Sequence, residues 1–173
     1  MNTILAEKQV IKSKRQSPSL KQILTKAKFS TENTPAGVTK CGVQKCGTCP
    51  LIEEGKTFSF KCGFNFEVKT SISCKGTNLL YVLKCSGCGE NYIGQTGNSL
   101  RKRITVHRQQ IKDPKYRFMP VSRHIHKCTK NMDIKFTVFP FYKFTQETNQ
   151  TERELKENYF IQKFNPSLNK IQN

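Results

Sequence analysis

Residues 79–96 read LLYVLKCSGCGENYIGQT, and this stretch decides the fold. Two runs rich in strand-forming residues, 79–83 and 91–96, flank a short connection that contains Gly87 and Gly89. Strand formers on both sides of a glycine-containing loop predict a β-hairpin. Cys85 and Cys88 lie in this loop, so the tip of the hairpin is predicted to carry a pair of thiols.

Four further elements are predicted after the hairpin. A helix capped by Asn98 extends to about residue 112, and a shorter helix covers residues 121–127. Residues 134–144 are predicted to form a strand that Pro140 restricts to a sheet edge or a bulge, and residues 152–164 form a last helix. The inward faces of the two longer helices are assigned to Leu100, Ile104, His107 and Ile111, and to Leu155, Phe160 and Phe164. The order β-β-α-α-β-α predicts an α+β fold with a small antiparallel sheet of about three strands, flanked by helices.

The chain of 173 residues carries 30 Lys and Arg against 12 Asp and Glu, a formal net charge of +18. Such a charge opposes a compact state unless it meets a polyanion, which favours nucleic acid as the partner. Residues 1–40 are predicted to form a basic, largely disordered arm with a short helix around residues 20–29. A Cys-rich segment at residues 41–78 and a folded domain at residues 79–173 follow.

No membrane segment or secretion signal is predicted. No run approaches the ~18 apolar residues that span a bilayer, and the basic first 15 residues lack a continuous apolar stretch. The protein is therefore expected in the nucleus or the cytoplasm, where thiols stay reduced. Under reducing conditions its eight cysteines indicate metal ligation more than disulfides.

Two Cys-x-x-Cys pairs predict two structural zinc sites, because paired thiolates can reach one tetrahedral Zn²⁺. The first cluster is predicted to consist of Cys41, Cys46, Cys49 and Cys74. The second cluster is predicted to consist of Cys85, Cys88, His124 and Cys128. Cys62 competes with Cys74 for the first cluster, and His126 competes with His124 for the second. Without zinc, the Cys-rich segment is expected to have too little apolar content to fold.

A set of polar residues occurs in an order and at a spacing that indicate chemistry. It begins with Tyr81 and Tyr92-Ile93-Gly94 and continues through Arg103, His107, Glu157 and Asn169. This set resembles the GIY-YIG nuclease family over residues 79–169, with Leu79-Leu80 in place of the first Gly-Ile pair. The resemblance implies a GIY-YIG-like fold with a Cys-rich zinc-binding extension. It also implies a catalytic site formed by Tyr81, Tyr92, Arg103, His107, Glu157 and Asn169.

More narrowly, Cys41, His124 and the two Cys-x-x-Cys pairs resemble the endonuclease domain of Penelope-like retroelements. This resemblance implies DNA as the substrate and target nicking that primes reverse transcription. Element RNA or a reverse-transcriptase domain would be further partners. No reverse-transcriptase segment is visible, so the chain is expected to be an excised domain or a remnant of a longer element.

Phosphodiester hydrolysis needs an in-line water, a cation and a proton acceptor. Glu157 offers an oxygen ligand for Mg²⁺ or Mn²⁺, and Arg103 offers a two-pronged donor for the scissile phosphate. The resemblance implies that Tyr81 or Tyr92 is the general base, and we favour Tyr92. Asn169 is expected to orient the glutamate or a phosphate.

The predicted function is a divalent-metal-dependent DNA endonuclease. Two alternatives stay open. The first is a non-catalytic, zinc-dependent nucleic-acid-binding module, for which the positive charge and the metal clusters would suffice. The second is a structure-specific DNA repair nuclease of the same fold.

Overall fold

Seven strands and three helices make up the part of the chain described by this computed structural model, residues 35–128 and 136–170. The strands are β1 (Gly37–Thr39), β2 (Thr57–Ser59), β3 (Asn65–Glu67), β4 (Ser71–Ser73), β5 (Leu79–Cys85), β6 (Asn91–Thr96) and β7 (Phe136–Lys143). The helices are α1 (Leu100–Lys112), α2 (Pro120–Cys128) and α3 (Gln150–Phe164). The helix expected around residues 20–29 lies outside the described residues.

The central sheet has the order β6-β5-β7 and is antiparallel throughout. β5 is buried along almost its whole length because it lies between two strands and beneath helices. β7 forms an edge, and a register irregularity opposite Leu80 and Tyr81 accompanies Pro140, which has no N–H to donate. The predicted hairpin, the three-stranded antiparallel sheet and the edge position of Pro140 are thus confirmed.

Helix α1 begins one residue later than the predicted cap implies. The side chain of Ser99, and not that of Asn98, accepts a hydrogen bond from the backbone N–H of Lys102. The predicted inward face of α1 is confirmed, since its four residues are all buried. Helix α2 begins at Pro120, at a helix start where a missing N–H costs little.

Helix α3 corrects one predicted core residue. Leu155 is 65% exposed, whereas Phe160 and Phe164 are buried. Leu155 lies five residues before Phe160, a rotation of about 140° around the helix, so both cannot face the core. Asn149 caps the start of α3, and Asn165 ends it in the left-handed conformation with φ 46°.

The Cys-rich segment contributes aromatic side chains to the core of the sheet. Phe58 lies 5.1 Å from Phe139, and Phe60 stacks on Phe164 at 4.0 Å, measured between ring centroids. Within the segment β2 pairs with β3, and β4 pairs with β1, which lies just before the segment. The expectation that the segment needs zinc to fold stays a prediction, although its phenylalanines are buried against β7 and α3. No helix among the described residues is long and apolar enough to cross a membrane.

Candidate active site and metal centres

Tyr81 is the centre of a hydrogen-bonded chain beneath α1. Its hydroxyl accepts a hydrogen bond from Arg103 Nε at 2.9 Å and lies 2.8 Å from His107 Nε2. Because Arg103 Nε can only donate, the Tyr81 hydroxyl can in turn donate its proton to His107 Nε2 when that nitrogen is unprotonated. Burial and the Arg103 charge lower the pKa of His107 to about 3, in agreement with a neutral ring.

Gly94 is paired with Tyr81 across the β5–β6 hairpin, and its missing side chain leaves room for the Tyr81 ring. A Cβ atom on Gly94 would lie 2.6 Å from the Tyr81 hydroxyl oxygen and 2.9 Å from Cε1 of Tyr92. Both separations are shorter than Cβ contacts in real proteins. The packing of the two tyrosines therefore requires the glycine of the second triplet. This requirement is not evident from the sequence motif alone.

Tyr92 and Glu157 form the more open part of the site. Tyr92 is half-buried, whereas Tyr81 has no exposed surface. Burial and the Glu157 charge raise the pKa of Tyr92, and Arg103 offsets part of that rise. Burial also raises the pKa of Glu157 to about 7, against the Arg103 charge and a backbone hydrogen bond from Gln95. Burial thus destabilises the ionised form of Glu157, and a bound cation would offset that cost.

Arg103 connects the buried and open parts of the site. The residue as a whole is exposed, although its Nε is held by Tyr81. One edge of the guanidinium is therefore fixed while the side chain stays accessible to a ligand. A fixed and accessible guanidinium suits the binding of a phosphate.

The amide of Asn169 makes contacts that differ from those expected. Its Oδ1 accepts from the backbone N–H of Ile93 at 2.7 Å, and its Nδ2 donates to the Ile93 carbonyl at 2.8 Å. The side chain thus pairs with the free edge of β6 as a neighbouring strand would. Asn169 fixes the strand that carries Tyr92, and it makes these contacts in place of one with Glu157.

Arg153 makes hydrogen bonds next to the candidate site that the motif did not indicate. Its Nε donates to Gln95 Oε1 at 3.2 Å, and its Nη1 donates to Asn78 Oδ1 and to the Thr148 carbonyl. Arg153 lies one turn before Glu157 on α3. It therefore ties the helix that carries the carboxylate to the end of β6.

The first cluster is formed by the four predicted cysteines. The separations between sulfur atoms are 3.4 Å for Cys41–Cys49, 3.5 Å for Cys46–Cys74 and 3.8 Å for Cys49–Cys74. Zn–S bonds of ~2.3 Å in a tetrahedron place sulfurs about 3.8 Å apart, so the group fits zinc. Hydrogen bonds from the Val43 backbone and from Cys74 lower the pKa of Cys41 to about 6, whereas burial raises the pKa of Cys74 and of Cys49.

The second cluster joins the tip of the hairpin to α2. Cys85 Sγ lies 3.8 Å from Cys128 Sγ, and Cys88 Sγ lies 3.2 Å from His124 Nε2. In each cluster all the ligand atoms lie within 4.8 Å of one another, so both can hold a metal such as zinc. The two competing ligands lie elsewhere. Cys62 is exposed, and His126 Nε2 lies 2.8 Å from the Ile111 carbonyl.

A family model, the GIY-YIG catalytic domain, matches residues 77–172, which is more than half of the chain. The chain belongs to the GIY-YIG family. Searches of curated proteins and of solved structures found no match. The GIY-YIG match covers the central sheet, the three helices and all six residues of the candidate active site. The predicted GIY-YIG-like α+β fold, with clusters that can bind a metal beside it, is therefore confirmed.

Proposed function

We propose that this chain is a divalent-metal-dependent DNA endonuclease that hydrolyses phosphodiester bonds. The observation that carries the proposal is the hydrogen-bonded chain from Arg103 through Tyr81 to His107, next to Tyr92 and Glu157. Membership of the GIY-YIG family supports a nuclease-type fold with DNA as the substrate. The net charge of +18 supports attraction to the phosphate backbone.

Glu157 would hold the catalytic ion, Mg²⁺ or Mn²⁺. None of the ion pairs in the described part of the chain involves Glu157, so Arg103 acts on its carboxylate without a direct ion pair. When bound, the ion supplies a Lewis acid at the scissile phosphate. Arg103 would bind the same phosphate through the accessible part of its guanidinium.

Tyr92 is proposed as the general base. A base must reach the attacking water, and the half-buried Tyr92 is accessible where Tyr81 is enclosed. Tyr81 would hold Arg103 in place through its hydroxyl oxygen, and His107 would in turn hold Tyr81. Asn169 would keep Tyr92 in position through the backbone of β6.

The test is nicking of supercoiled plasmid with and without Mg²⁺. Glu157→Gln is expected to lower the nicking rate at least about 100-fold, because the ion would lose its protein ligand. Glu152→Gln removes an exposed carboxylate from the same helix and is the matched control, expected to nick as the wild type does. An inactive wild type, or a Glu157→Gln protein as active as the control, contradicts the proposal.

The two tyrosines are compared in the same assay. Tyr92→Phe is expected to lower the rate by about 10²–10⁴-fold, the usual contribution of a general base. Tyr81→Phe keeps the ring that packs on Gly94 and is expected to lower it less. A larger loss in Tyr81→Phe than in Tyr92→Phe would assign the base to Tyr81.

We further propose that nicking serves a retroelement, by target-primed reverse transcription, with element RNA or a reverse transcriptase as later partners. The support is the resemblance of the two cysteine pairs, Cys41 and His124 to the endonuclease domain of Penelope-like elements. Target priming needs a free 3′ hydroxyl, so a polymerase should extend the nicked product without prior treatment. A strong preference for branched over linear DNA would favour a repair nuclease instead.

A further inference from the structure

Helix α1 carries functional contacts on two sides. Arg103 and His107 contact Tyr81, and on another side Arg101 and Arg108 contact the segment that forms the first cluster. In the sequence, Arg101 is one of three consecutive basic residues, with Lys102 and Arg103. The structure gives it contacts that none of the other arginines of α1 makes.

The backbone at the start of α1 is held by the loop that carries the last cysteine of the first cluster. The first N–H groups of a helix have no partner within it. In this helix, Leu100 N donates to the Gly76 carbonyl and Arg101 N donates to the Cys74 carbonyl, each at 2.9 Å. A carbonyl group of a ligand residue therefore caps the helix that carries Arg103.

The side chain of Arg101 reaches the sulfur atoms themselves. Its Nη2 lies 3.5 Å from Cys41 Sγ and 4.0 Å from Cys74 Sγ. Four thiolates around one divalent ion leave a net charge of −2, so a guanidinium between two of the sulfurs offsets part of that charge. Donors outside the ligand shell of this kind orient the ligands and strengthen metal binding.

A second anchor lies two turns further along α1. Arg108 Nη1 donates to the Gly47 carbonyl at 3.3 Å, within the turn between Cys46 and Cys49. Residues seven apart lie on the same side of a helix. The first cluster thus contacts α1 at both its beginning and its middle, which fixes the rotation of the helix as well as its end.

We propose that Arg101 binds the metal–thiolate group of the first cluster and that this cluster positions Arg103 and His107 beside Tyr81. Arg101 is then a positioning residue that acts through the metal site and makes no contact with DNA. The effect on nicking rests on the proposed nuclease function. The effect on metal binding does not.

The test compares Arg101→Gln, Arg101→Lys and Lys102→Gln. Lys102 is an exposed cation next to Arg101, so its variant controls for a loss of positive charge. Cobalt(II) replaces zinc, since a four-thiolate site and a site with three thiolates and an imidazole absorb differently, and a chelator competes for the metal. Arg101→Gln is expected to bind metal at the first cluster about 10–100-fold more weakly, with the second cluster unchanged. Arg101→Lys should fall between it and the wild type, and Lys102→Gln should match the wild type.

Two further measurements separate positioning from DNA contact. At limiting zinc, Arg101→Gln should lose kcat for nicking with KM unchanged, and saturating zinc should restore it. The ¹⁵N resonances of the His107 ring should shift when zinc is withdrawn from Arg101→Gln, since they report the hydrogen bond with Tyr81.

The outcomes are distinguishable. Wild-type metal affinity in Arg101→Gln overturns the proposal, whatever the nicking result. A raised KM that saturating zinc does not restore would make Arg101 a DNA contact and also overturn it. If the wild-type protein does not nick, the proposed nuclease function fails, while the metal affinities and the His107 resonances still decide the role of Arg101.

Discussion

The two metal clusters have the same number of ligands but differ in their surroundings. In the first cluster three of the four cysteines are buried, and the cluster lies within the Cys-rich segment, in contact with α1. In the second cluster Cys88 is exposed, and the cluster joins the tip of the β5–β6 hairpin to α2. The first therefore supports the helix that carries Arg103, whereas the second secures a peripheral connection. Ligand spacing alone does not distinguish these roles.

The largest expected effect is on global stability. Cys74→Ser should lower the free energy of unfolding by more than about 4 kcal/mol, because structural zinc contributes about 10–16 kcal/mol of folding energy and a lost ligand forfeits much of it. The loss should be greatest at this buried site, where the Cys74 carbonyl also caps α1. Urea unfolding with zinc present, followed by circular dichroism, measures this change.

The matched variant for that experiment is Cys88→Ser, which removes an exposed ligand of the second cluster. It is expected to cost less than half as much as Cys74→Ser. Equal losses of unfolding free energy in the two variants would show that burial and contact with α1 do not determine how much a cluster stabilises the protein.

A smaller effect on the free energy of unfolding tests how much the aromatic core, in addition to the metal, stabilises the Cys-rich segment. Phe58→Ala should lower the free energy of unfolding by about 3 kcal/mol, since Phe58 is 2% exposed and packs on Phe139. The control is Phe64→Ala in the same segment, where the ring is 41% exposed and the loss should stay below about 1 kcal/mol. A negligible loss in Phe58→Ala would mean that metal alone holds the segment.

The sequence could predict the elements whose patterns are long and local. The hairpin at residues 79–96, the helix after it and the edge strand with Pro140 follow from residue types that act within a few positions. The two Cys-x-x-Cys pairs also followed, because short ligand spacings restrict which thiols meet one ion. The distant ligands Cys74 and His124 each had a competitor in the sequence, and the fold places those competitors elsewhere. The six candidate site residues were indicated by the resemblance to the GIY-YIG family, and the structure brings them together around β5 and β6.

Contacts between segments far apart in the chain were not predictable. The three strands of the Cys-rich segment, β2, β3 and β4, have three residues each, too few to show an alternating pattern. Leu155 was predicted to face the core, but it lies about 140° around α3 from Phe160 and is exposed. Arg101 and Arg153 look like solvated charges until the fold brings Cys74 and Gln95 beside them. The role of Gly94 needs the register of β5 on β6.

The smallest expected effect concerns Glu157 in the candidate active site. Its buried carboxylate destabilises the folded state, whereas the metal clusters stabilise it. Burial raises the pKa of Glu157 from an ordinary 4.5 to about 7. Between these two pH values the folded protein binds a proton that the unfolded chain does not, so stability falls as the pH rises through this window. Above pH 7 the folded state holds a desolvated charge. Glu157→Gln should therefore be more stable than the wild type by about 1–2 kcal/mol at pH 8, with a smaller gain at pH 6.

Urea unfolding of the wild type, Glu157→Gln and Glu152→Gln at the two pH values measures this difference. The exposed Glu152 should give no gain, and a gain there equal to that of Glu157→Gln would contradict the assigned cause. Mg²⁺ provides the complementary measurement, since an ion that binds only the folded state raises its stability. Mg²⁺ should therefore stabilise the wild type and leave Glu157→Gln unchanged, because the same desolvation that destabilises the empty carboxylate makes it a ligand for the ion.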